Sequence, residues 1–383
     1  MTRVAQLAAA VDNLRSAIVS EAVLREAIAI QQIAAPTFDE ARRAEYVARR
    51  LTGLDSLEVD ALHNVYACWP GVDRNRPAVL VCAHMDTVFD TQTPLTVQIQ
   101  DGNVIAPGIG DNSLGVAGVL TLADILRKQS EPLPVDVWFV ANTREEGLGN
   151  LDGMRAVYRK LAPRLGSVLV IEGMAYGRIY HAGIAVRRLE IRCTTPGGHS
   201  WLHFGRPSAI HHLVRLAAEI VALQPPATPR TTYNIGTIEG GRTVNTIASD
   251  ASLLLDLRSE DCEILAALEA AVMRIVEVEH RPDVTFTVKV VGDRPAGAIP
   301  VDHPLVQMGS DVLQLLGVKP ALEAGSTDAN IPLSQGLPAI VVGITHGGNA
   351  HRLDEYIETQ PIADGMWQLL LLTLGAANGL AES

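Results

Sequence analysis

The chain has 383 residues, of which 48% are hydrophobic and 19% are charged, a composition typical of a folded protein with more than one domain rather than of a disordered chain. Its formal net charge is −12, from 31 basic and 43 acidic residues. This balance argues against nucleic acid as a partner, because binding phosphates requires clustered Lys and Arg.

The apolar stretches and the cysteines indicate the cellular compartment of the protein. No run of about 20 continuous apolar residues predicts a membrane span, and residues 1–15 lack the basic and apolar regions of a signal peptide. The four cysteines form no Cys-x-x-Cys pair, which is typical of thiols in a reducing compartment. We therefore expect a cytoplasmic protein without a membrane partner.

Short β-rich runs alternate with helical patterns in the first half of the chain, which favours a largely parallel sheet covered by helices. The predicted elements are helices within 21–54 broken at Pro36, strands at 57–69 and 78–84, a helix at 114–128, and strands at 135–142 and 168–171.

The pattern changes near Gly183. The next predicted elements are a strand at 185–194, a helix at 208–223, strands at 233–239 and 248–258, a helix at 261–279 and a strand at 283–291. This order of strands and helices is that of a ferredoxin-like α+β domain. A helix at 304–316, a turn at 324–328, a strand at 339–344 and a helix from residue 360 then resume the first pattern. We predict an α/β domain made of residues 1–183 and 293–383, with residues 184–292 inserted into it.

Polar residues of metal-ligand type follow several of the apolar strands. His84 ends one strand, and Asp86 two residues later points to the same side, where its carboxylate can fix the tautomer of a metal-bound imidazole. A capped strand end with a solvated Asp is the alternative. Asp111 follows a glycine-rich turn before a helix, where it can bridge two metals or only cap the helix.

The adjacent pair Glu145 and Glu146 is the most informative feature. Two carboxylates directly after a buried strand are unfavourable unless a cation offsets them, and one can bind metal while the other serves as general base. A solvated acidic pair is the alternative. Glu172 also follows an apolar strand, and two histidines, His346 and His351, lie after the last one. Imidazole and carboxylate ligands without Cys suit a pair of zinc ions, with cobalt or manganese as possible substitutes.

In this order of motifs the chain resembles the di-zinc exopeptidases and deacylases that include aminoacylase, carboxypeptidase G, succinyl-diaminopimelate desuccinylase and peptidase T. The resemblance implies a zinc-exopeptidase-like fold with two Zn²⁺. It implies these metal ligands, with Asp111 bridging: His84, Asp111, Glu146, Glu172 and His351. It further implies Glu145 as general base and Asp86 as the group that orients His84. The position after the glycine loop is Asn112, where many relatives have a second Asp.

The inserted segment carries further similar motifs. His199, in Thr-Thr-Pro-Gly-Gly-His-Ser, resembles the lid histidine that polarises the scissile carbonyl from the partner subunit. Asn245 and Arg258 lie in motifs similar to those that contact the substrate, and Gly325 and Ser326 lie in a similar glycine turn. The resemblance therefore implies a homodimer formed through the inserted lid domain.

We predict a zinc-dependent hydrolase that cleaves an amide bond of a small peptide or N-acyl amino acid with metal-activated water. The resemblance implies that Glu at the fourth ligand position, here Glu172, indicates the carboxypeptidase or deacylase type rather than an aminopeptidase-type di- or tripeptidase, and Arg258 is a natural partner for a substrate carboxylate. The competing hypotheses are a metal-free binding protein on the same fold, a phosphoesterase and a serine hydrolase. The last two lack support, because the chain has neither a phosphate-binding Gly-x-x-x-x-Gly-Lys loop nor a Gly-x-Ser-x-Gly motif.

Overall fold

The computed structural model describes residues 2–129 and 132–379. Within them the chain divides into two compact units, one formed by Met1–Gly183 with Gly297–Ser383 and the other by Ile184–Ala296. The sequence-based division placed the second boundary four residues earlier, after residue 292. That boundary falls inside the last strand of the second unit, which continues to Arg294.

The helices of the described residues are α1 (Arg3–Ala10), α2 (Ser20–Gln31), α3 (Ala41–Arg50), α4 (Leu114–Arg127), α5 (Asp152–Leu161), α6 (Ala209–Val221), α7 (Cys262–Glu279), α8 (Pro304–Leu315), α9 (Asn330–Ser334) and α10 (Ile362–Ala377). The strands are β1 (Asp55–Val59), β2 (Val65–Trp69), β3 (Ala78–His84), β4 (Gln98–Gln100), β5 (Asn103–Ile105), β6 (Val137–Asn142), β7 (Leu165–Ile171), β8 (Arg178–Gly183), β9 (Ala185–Thr194), β10 (Gly198–His199), β11 (Thr231–Gly240), β12 (Thr246–Ile247), β13 (Asp250–Ser259), β14 (Thr285–Arg294), β15 (Gly297–Ala298), β16 (Ala321–Gly325), β17 (Ala339–Val342), β18 (Gly347–Gly348) and β19 (Tyr356–Glu358).

The first unit is built on a large mixed sheet with strand order β1-β2-β6-β3-β7-β17-β8-β15, in which β16 also pairs with β8. The neighbours β6, β3, β7 and β17 are parallel, whereas β1 and β2 extend the sheet in the antiparallel sense. Every residue of β3 and β6 is buried, as expected for strands covered on both faces. Because β6, β3 and β7 are parallel, their carboxyl ends lie along one edge of the sheet.

The predicted strand at 57–69 is wrong in one respect, since the structure has two antiparallel strands there, β1 and β2. The carboxylate of Asp60 accepts hydrogen bonds from the main-chain N–H groups of Leu62 and Asn64 at 2.8 and 3.0 Å, which stabilises the turn between the strands. An Asp side chain that accepts a hydrogen bond from the main chain two residues later is typical of a turn. The apolar residues on both sides of Asp60 led instead to the prediction of one continuous strand.

The second unit contains a four-stranded antiparallel sheet with strand order β11-β13-β9-β14. Helices α6 and α7 pack on this sheet and close a separate hydrophobic core. Its strands and helices follow one another in the order strand, helix, two strands, helix, strand, which is the ferredoxin-like arrangement.

Among the described residues one helical stretch, Ile109–Arg127, is long and apolar enough to cross a membrane, and 83% of its most apolar window of 18 residues is buried. It contains α4, which packs against α2 and β3. The burial is that of a core helix.

Candidate metal centre

Three of the predicted ligand positions lie at the same edge of the large sheet. His84 is the last residue of β3, Glu146 follows β6 by four residues, and Glu172 comes directly after β7. The other two come from loops, since Asp111 precedes α4 and His351 lies between β18 and β19. Strand ends of adjacent parallel strands and two loops thus bring five distant residues of the sequence together.

The carboxylate of Asp111 lies between the two imidazoles. Its Oδ1 is 3.2 Å from His84 Nε2, and its Oδ2 is 3.1 Å from His351 Nε2. Glu172 Oε2 lies 3.7 Å from His84 Nε2, and Glu146 Oε1 lies 3.1 Å from His351 Nε2. Two groups of potential ligand atoms therefore share Asp111, one with His84 and Glu172 and the other with Glu146 and His351.

The electrostatics of the cluster fit a site for cations. Burial and the neighbouring Asp111 raise the pKa of Glu146 to about 8, and burial raises the pKa of Glu172 to about 7. Hydrogen bonds with Asp111 and Glu146 raise the pKa of His351 to about 10. Burial opposes a charge on His84, but its carboxylate neighbours outweigh this and hold its pKa well above the usual value. Positive charge is strongly favoured here, and divalent cations would supply it with imidazole and carboxylate ligands.

Glu145 belongs to a third group of potential ligand atoms, with His84 and Glu146. The main-chain N–H groups of Glu145 and Glu146 donate to Asp86 Oδ1 and Oδ2, both at 2.9 Å. Asp86 is fully buried, and Thr37 Oγ1 donates to it at 2.8 Å. The carboxylate of Asp86 therefore fixes the segment that carries both glutamates.

Asp86 contacts His84 through two oxygens. His84 Nδ1 lies 3.1 Å from the main-chain carbonyl oxygen of Asp86 and 3.5 Å from its carboxylate oxygen Oδ1. The shorter contact is the stronger of the two, because 3.5 Å is long for a hydrogen bond. Both contacts are on the Nδ1 side of the imidazole and leave Nε2 directed at Asp111.

The side chain of Asn112 connects the glycine loop to the end of β7. Its Nδ2 donates to the carbonyl of Ile171 at 2.7 Å, and its Oδ1 accepts from the N–H of Gly173 at 3.0 Å. These two bonds lie on either side of Glu172 in the sequence. Asn112 is fully buried, so the amide has a positioning role beside Glu172 that a carboxylate could not fill in the same way, because it lacks the N–H donor.

Sequence reasoning missed three buried charged residues around the cluster. Glu355 accepts from the N–H groups of Gly108, Gly110 and Asp111 at 3.2, 2.7 and 2.9 Å and so anchors the glycine loop. Arg43 donates to the carbonyl of Met85 at 2.6 Å, between His84 and Asp86. No local pattern marks either residue, because their partners are distant in the sequence.

Asp328 is the third of these residues. It is fully buried, and its Oδ2 accepts from Asn142 Nδ2 at 2.6 Å. Burial and the charge of Glu145 raise its pKa well above the usual value. The sequence feature that could have indicated Asp328 is its position in the predicted turn at 324–328, which also contains Gly325 and Ser326. Gly325 ends β16, and Ser326 follows it.

The remaining predicted substrate residues lie in the second unit. His199 is exposed in β10, and Asn245 precedes β12, which pairs with β10. Arg258 lies on β13, where its Nε donates to Asp256 Oδ1 at 2.7 Å. Asp256 also accepts from Arg188 Nε at 2.9 Å, so two guanidinium groups flank this carboxylate.

Comparison with known proteins identifies the family. Residues 80–372 match the model of peptidase family M20/M25/M40. Acetylornithine deacetylase from Shigella sonnei (strain Ss046) is 27% identical over 327 residues, which cover 79% of this chain and 81% of that protein. An aminopeptidase PepT from Bacillus cereus ATCC 10987 has a similar structure, with a TM-score of 0.73, 20% identity and coverage of 94% of this chain and 100% of the other.

A tripeptidase from Staphylococcus aureus subsp. aureus Mu50 is also similar in structure, with a TM-score of 0.76, 19% identity and coverage of 94% of this chain and 99% of the other. These likenesses confirm the α/β fold with a large central sheet. The family match extends over the strands and loops that carry the candidate metal centre. The chain therefore belongs to peptidase family M20/M25/M40 and is an amide-bond hydrolase.

Proposed function

We propose that the protein uses two zinc ions to hydrolyse an amide bond of a small peptide or an N-acyl amino acid. The observation that carries the proposal is the position of Asp111, whose two carboxylate oxygens face His84 and His351 at 3.2 and 3.1 Å. A carboxylate placed in this way can be shared by two cations.

His84 and Glu172 would hold one cation, Glu146 and His351 the other, and Asp111 both. Nitrogen and oxygen donors without sulfur suit zinc in a catalytic site, and cobalt or manganese can take its place. When bound, the cations supply Lewis acidity that polarises the substrate carbonyl and makes water a better nucleophile. Acetylornithine deacetylase among the relatives favours an N-acyl amino acid as substrate.

Glu145 is the proposed general base. Its main chain is fixed by Asp86, and the residue is 6% exposed beside His84 and Glu146. Its carboxylate takes a proton from the attacking water while the oxygen of that water bonds to the carbonyl carbon. It then returns the proton to the leaving nitrogen as the carbon–nitrogen bond breaks.

His199 is proposed to donate a hydrogen bond to the scissile carbonyl. Its Nδ1 accepts from the N–H groups of Trp201 and Leu202 at 3.2 and 3.4 Å. In the neutral imidazole the proton is therefore on Nε2, which is the atom proposed to donate to the carbonyl. We infer that Arg258, beside Asp256, and Asn245 contact the substrate, as do Gly325 and Ser326.

We also propose a homodimer formed through the second unit. Its sheet ends at β11 and β14, and among the described residues neither strand has a partner on its outer side. Edge strands of this kind can pair with a second copy of the chain. Light scattering at micromolar concentration should give twice the mass of 41.0 kDa, and a monomeric mass would contradict the dimer.

The test of function is hydrolysis of a panel of dipeptides, tripeptides and N-acyl amino acids by the zinc-loaded protein, with and without a chelator. We expect chelator-sensitive cleavage of substrates that have a free carboxylate. Glu145→Gln should lower kcat by about 10²-fold or more while the metal content is unchanged. Glu146→Gln is the matched control, because it should lower the metal content. Cleavage that requires a free N-terminus would indicate an aminopeptidase instead.

A further inference from the structure

Glu40 is a buried carboxylate of the first unit that the proposed mechanism does not use. It directly precedes α3, but its side chain makes no hydrogen bond to the N–H groups at the start of that helix. Its Oε1 accepts from the N–H of Phe38 at 3.0 Å and from the N–H of Arg144 at 3.2 Å. Glu40 therefore connects the segment before α3 with residues 143–151, which carry Glu145 and which we call the base loop.

The bond from Glu40 is one of three that hold successive N–H groups of the base loop. Arg144 directly precedes Glu145 and donates to Glu40. The next two N–H groups, those of Glu145 and Glu146, donate to Asp86 Oδ1 and Oδ2 at 2.9 Å. Two buried carboxylates thus receive the main chain on both sides of the proposed general base.

The base loop has a left-handed backbone conformation at Arg144. Its φ is +57°, a value that residues other than glycine rarely adopt and that persists only where neighbouring contacts hold it. The peptide unit after Arg144 is fixed twice, because its N–H donates to Asp86 and its carbonyl accepts from the N–H of Leu151 at 3.0 Å. The peptide unit before Arg144 donates its N–H to Glu40. The direction in which the chain enters Glu145 is therefore set by bonds on both sides of Arg144.

Glu40 contributes to the base loop as an acceptor rather than as a charge. Burial raises the pKa of Glu40, and the negative charge of Asp86 adds to this effect. Its Oε2 is buried and has no hydrogen-bond partner among the described residues. A second negative charge beside Asp86 is unfavourable in such surroundings, whereas a neutral acceptor could receive the same two N–H groups. The atom that matters for the base loop is therefore Oε1.

Two further contacts join the same parts of the first unit without involving Glu40. Cζ of Arg144 lies 5.2 Å from the centroid of the Phe38 ring, and Thr37 Oγ1 donates to Asp86 Oδ2 at 2.8 Å. Both contacts can persist when the carboxylate of Glu40 is removed. A variant of Glu40 should therefore keep the base loop near its place but release the peptide unit before Arg144.

We propose that Glu40 is a positioning residue for the general base. Its Oε1 holds the main chain of Arg144 so that the carboxylate of Glu145 is aimed at the attacking water. This inference rests on the proposed function, because it takes Glu145 as the general base. Glu40 acts only through the base loop, so its loss should affect kcat rather than KM or zinc content.

The test compares three variants of Glu40 in the zinc-loaded full-length protein, on the best substrate of the panel. Glu40→Met has a side chain of similar size without an acceptor, and it should lower kcat about 10–100-fold with KM and zinc content within about 2-fold of the wild type. Glu40→Gln keeps an acceptor oxygen and should retain most of the rate. Glu40→Asp keeps the charge but withdraws the acceptor by one methylene group, so it should lower kcat and serves if Glu40→Met does not fold. Full activity of Glu40→Asp with loss in Glu40→Gln would overturn the role of the acceptor.

Combination with Glu145→Gln separates positioning of the base from a general structural role. In the Glu145→Gln protein the base is absent, so Glu40→Met or Glu40→Asp should lower kcat less than about 3-fold further, because residues that act as a unit have non-additive effects. A further loss as large as in the wild-type background would overturn the inference and leave the proposed function standing. Full turnover of Glu145→Gln alone would instead contradict the base assigned in the proposed function.

Glu26→Met is the matched control for the loss of a carboxylate from the same unit. Glu26 accepts hydrogen bonds from Tyr46 Oη and Arg50 Nε, both at 3.0 Å, and its side chain is 16% exposed. Its replacement should lower the midpoint of urea unfolding and leave kcat unchanged. A fall in kcat equal to that of Glu40→Met would show that loss of stability alone reduces the rate, and would overturn the inference.

Discussion

Replacement of Glu355 by Gln tests how the glycine loop is held against the candidate metal centre. Glu355 is fully buried and accepts three main-chain N–H groups from the loop that carries Asp111, up to 247 residues away in the sequence. Its own main-chain carbonyl accepts from the N–H of Ala106 at 2.9 Å. One residue therefore connects the loop of His351 with the loop of Asp111.

Gln has the shape of Glu but offers one oxygen in place of two. If that oxygen keeps the bonds from Gly110 and Asp111 at 2.7 and 2.9 Å, the amide nitrogen faces the N–H of Gly108. Both groups are hydrogen-bond donors, so the bond from Gly108 is lost. The loss of one charge-assisted hydrogen bond in a buried position costs about 1.5–3 kcal/mol. Because Asp111 is proposed to be shared by both cations, we expect zinc affinity to fall about 10–100-fold, as is usual for groups that orient ligands.

The assay is competition for zinc between the protein and a chromogenic chelator, combined with urea unfolding of the metal-free protein. Glu323→Gln is the control, because Glu323 makes an exposed ion pair with Arg178 at 3.7 Å that should contribute less than about 1 kcal/mol. If Glu355→Gln matched the wild type in both measurements, the loop would not depend on Glu355, and the reasoning would be refuted.

Three further predictions concern the same cluster. The pKa of His351 is raised to about 10, so the imidazole is protonated below that pH in the metal-free protein. This proton adds to the free energy of unfolding; the contribution is complete below about pH 6.5 and is lost as the pH rises through about 10. Zinc binding at about pH 7.5 should therefore release protons, measured by calorimetry in two buffers of different ionisation enthalpy, and equal heats in both would contradict this. Asn112→Ala removes the bonds on both sides of Glu172 and should lower the affinity of one zinc position more than the other in a titration; an equal change at both would argue against it. Gly115→Ala should destabilise the fold by about 1–3 kcal/mol in urea, because a Cβ there would collide with the side chain of Asn112, and an unchanged midpoint would show that the side chain can move.

The strand-end part of the candidate site was predictable from the sequence. β3 and the second half of β7, residues 168–171, are short continuous apolar runs that end at His84 and directly before Glu172, and β6 ends shortly before Glu145. The carboxyl ends of neighbouring parallel strands lie at the same edge of a sheet. The apolar runs together with this rule therefore predict that His84, Glu145 and Glu172 lie near one another. The predicted bounds of β3 and β9 match the observed bounds for the same reason, since apolar runs and alternation report burial directly.

The loop residues were not predictable in this way. Asp111 and His351 lie on segments with no periodic pattern, and the roles proposed for them came from resemblance to a family. The short strand β8 was also missed, because its partly buried residues follow neither a continuous apolar nor an alternating pattern. Pairing with β16 and β17, which follow it by more than a hundred residues, places it in the sheet.

The residue types alone also could not separate the carboxylates that bind metal from those that hold the site together. Asp86 and Glu355 are as buried as any proposed ligand, but their oxygens are occupied by main-chain N–H groups. The oxygens of Asp111 face imidazole nitrogens instead. An acceptor occupied by fixed N–H groups serves to position a loop, whereas one that faces another potential ligand gains most from a shared cation. In this cluster the partners of a carboxylate decide its role, and those partners come from the fold.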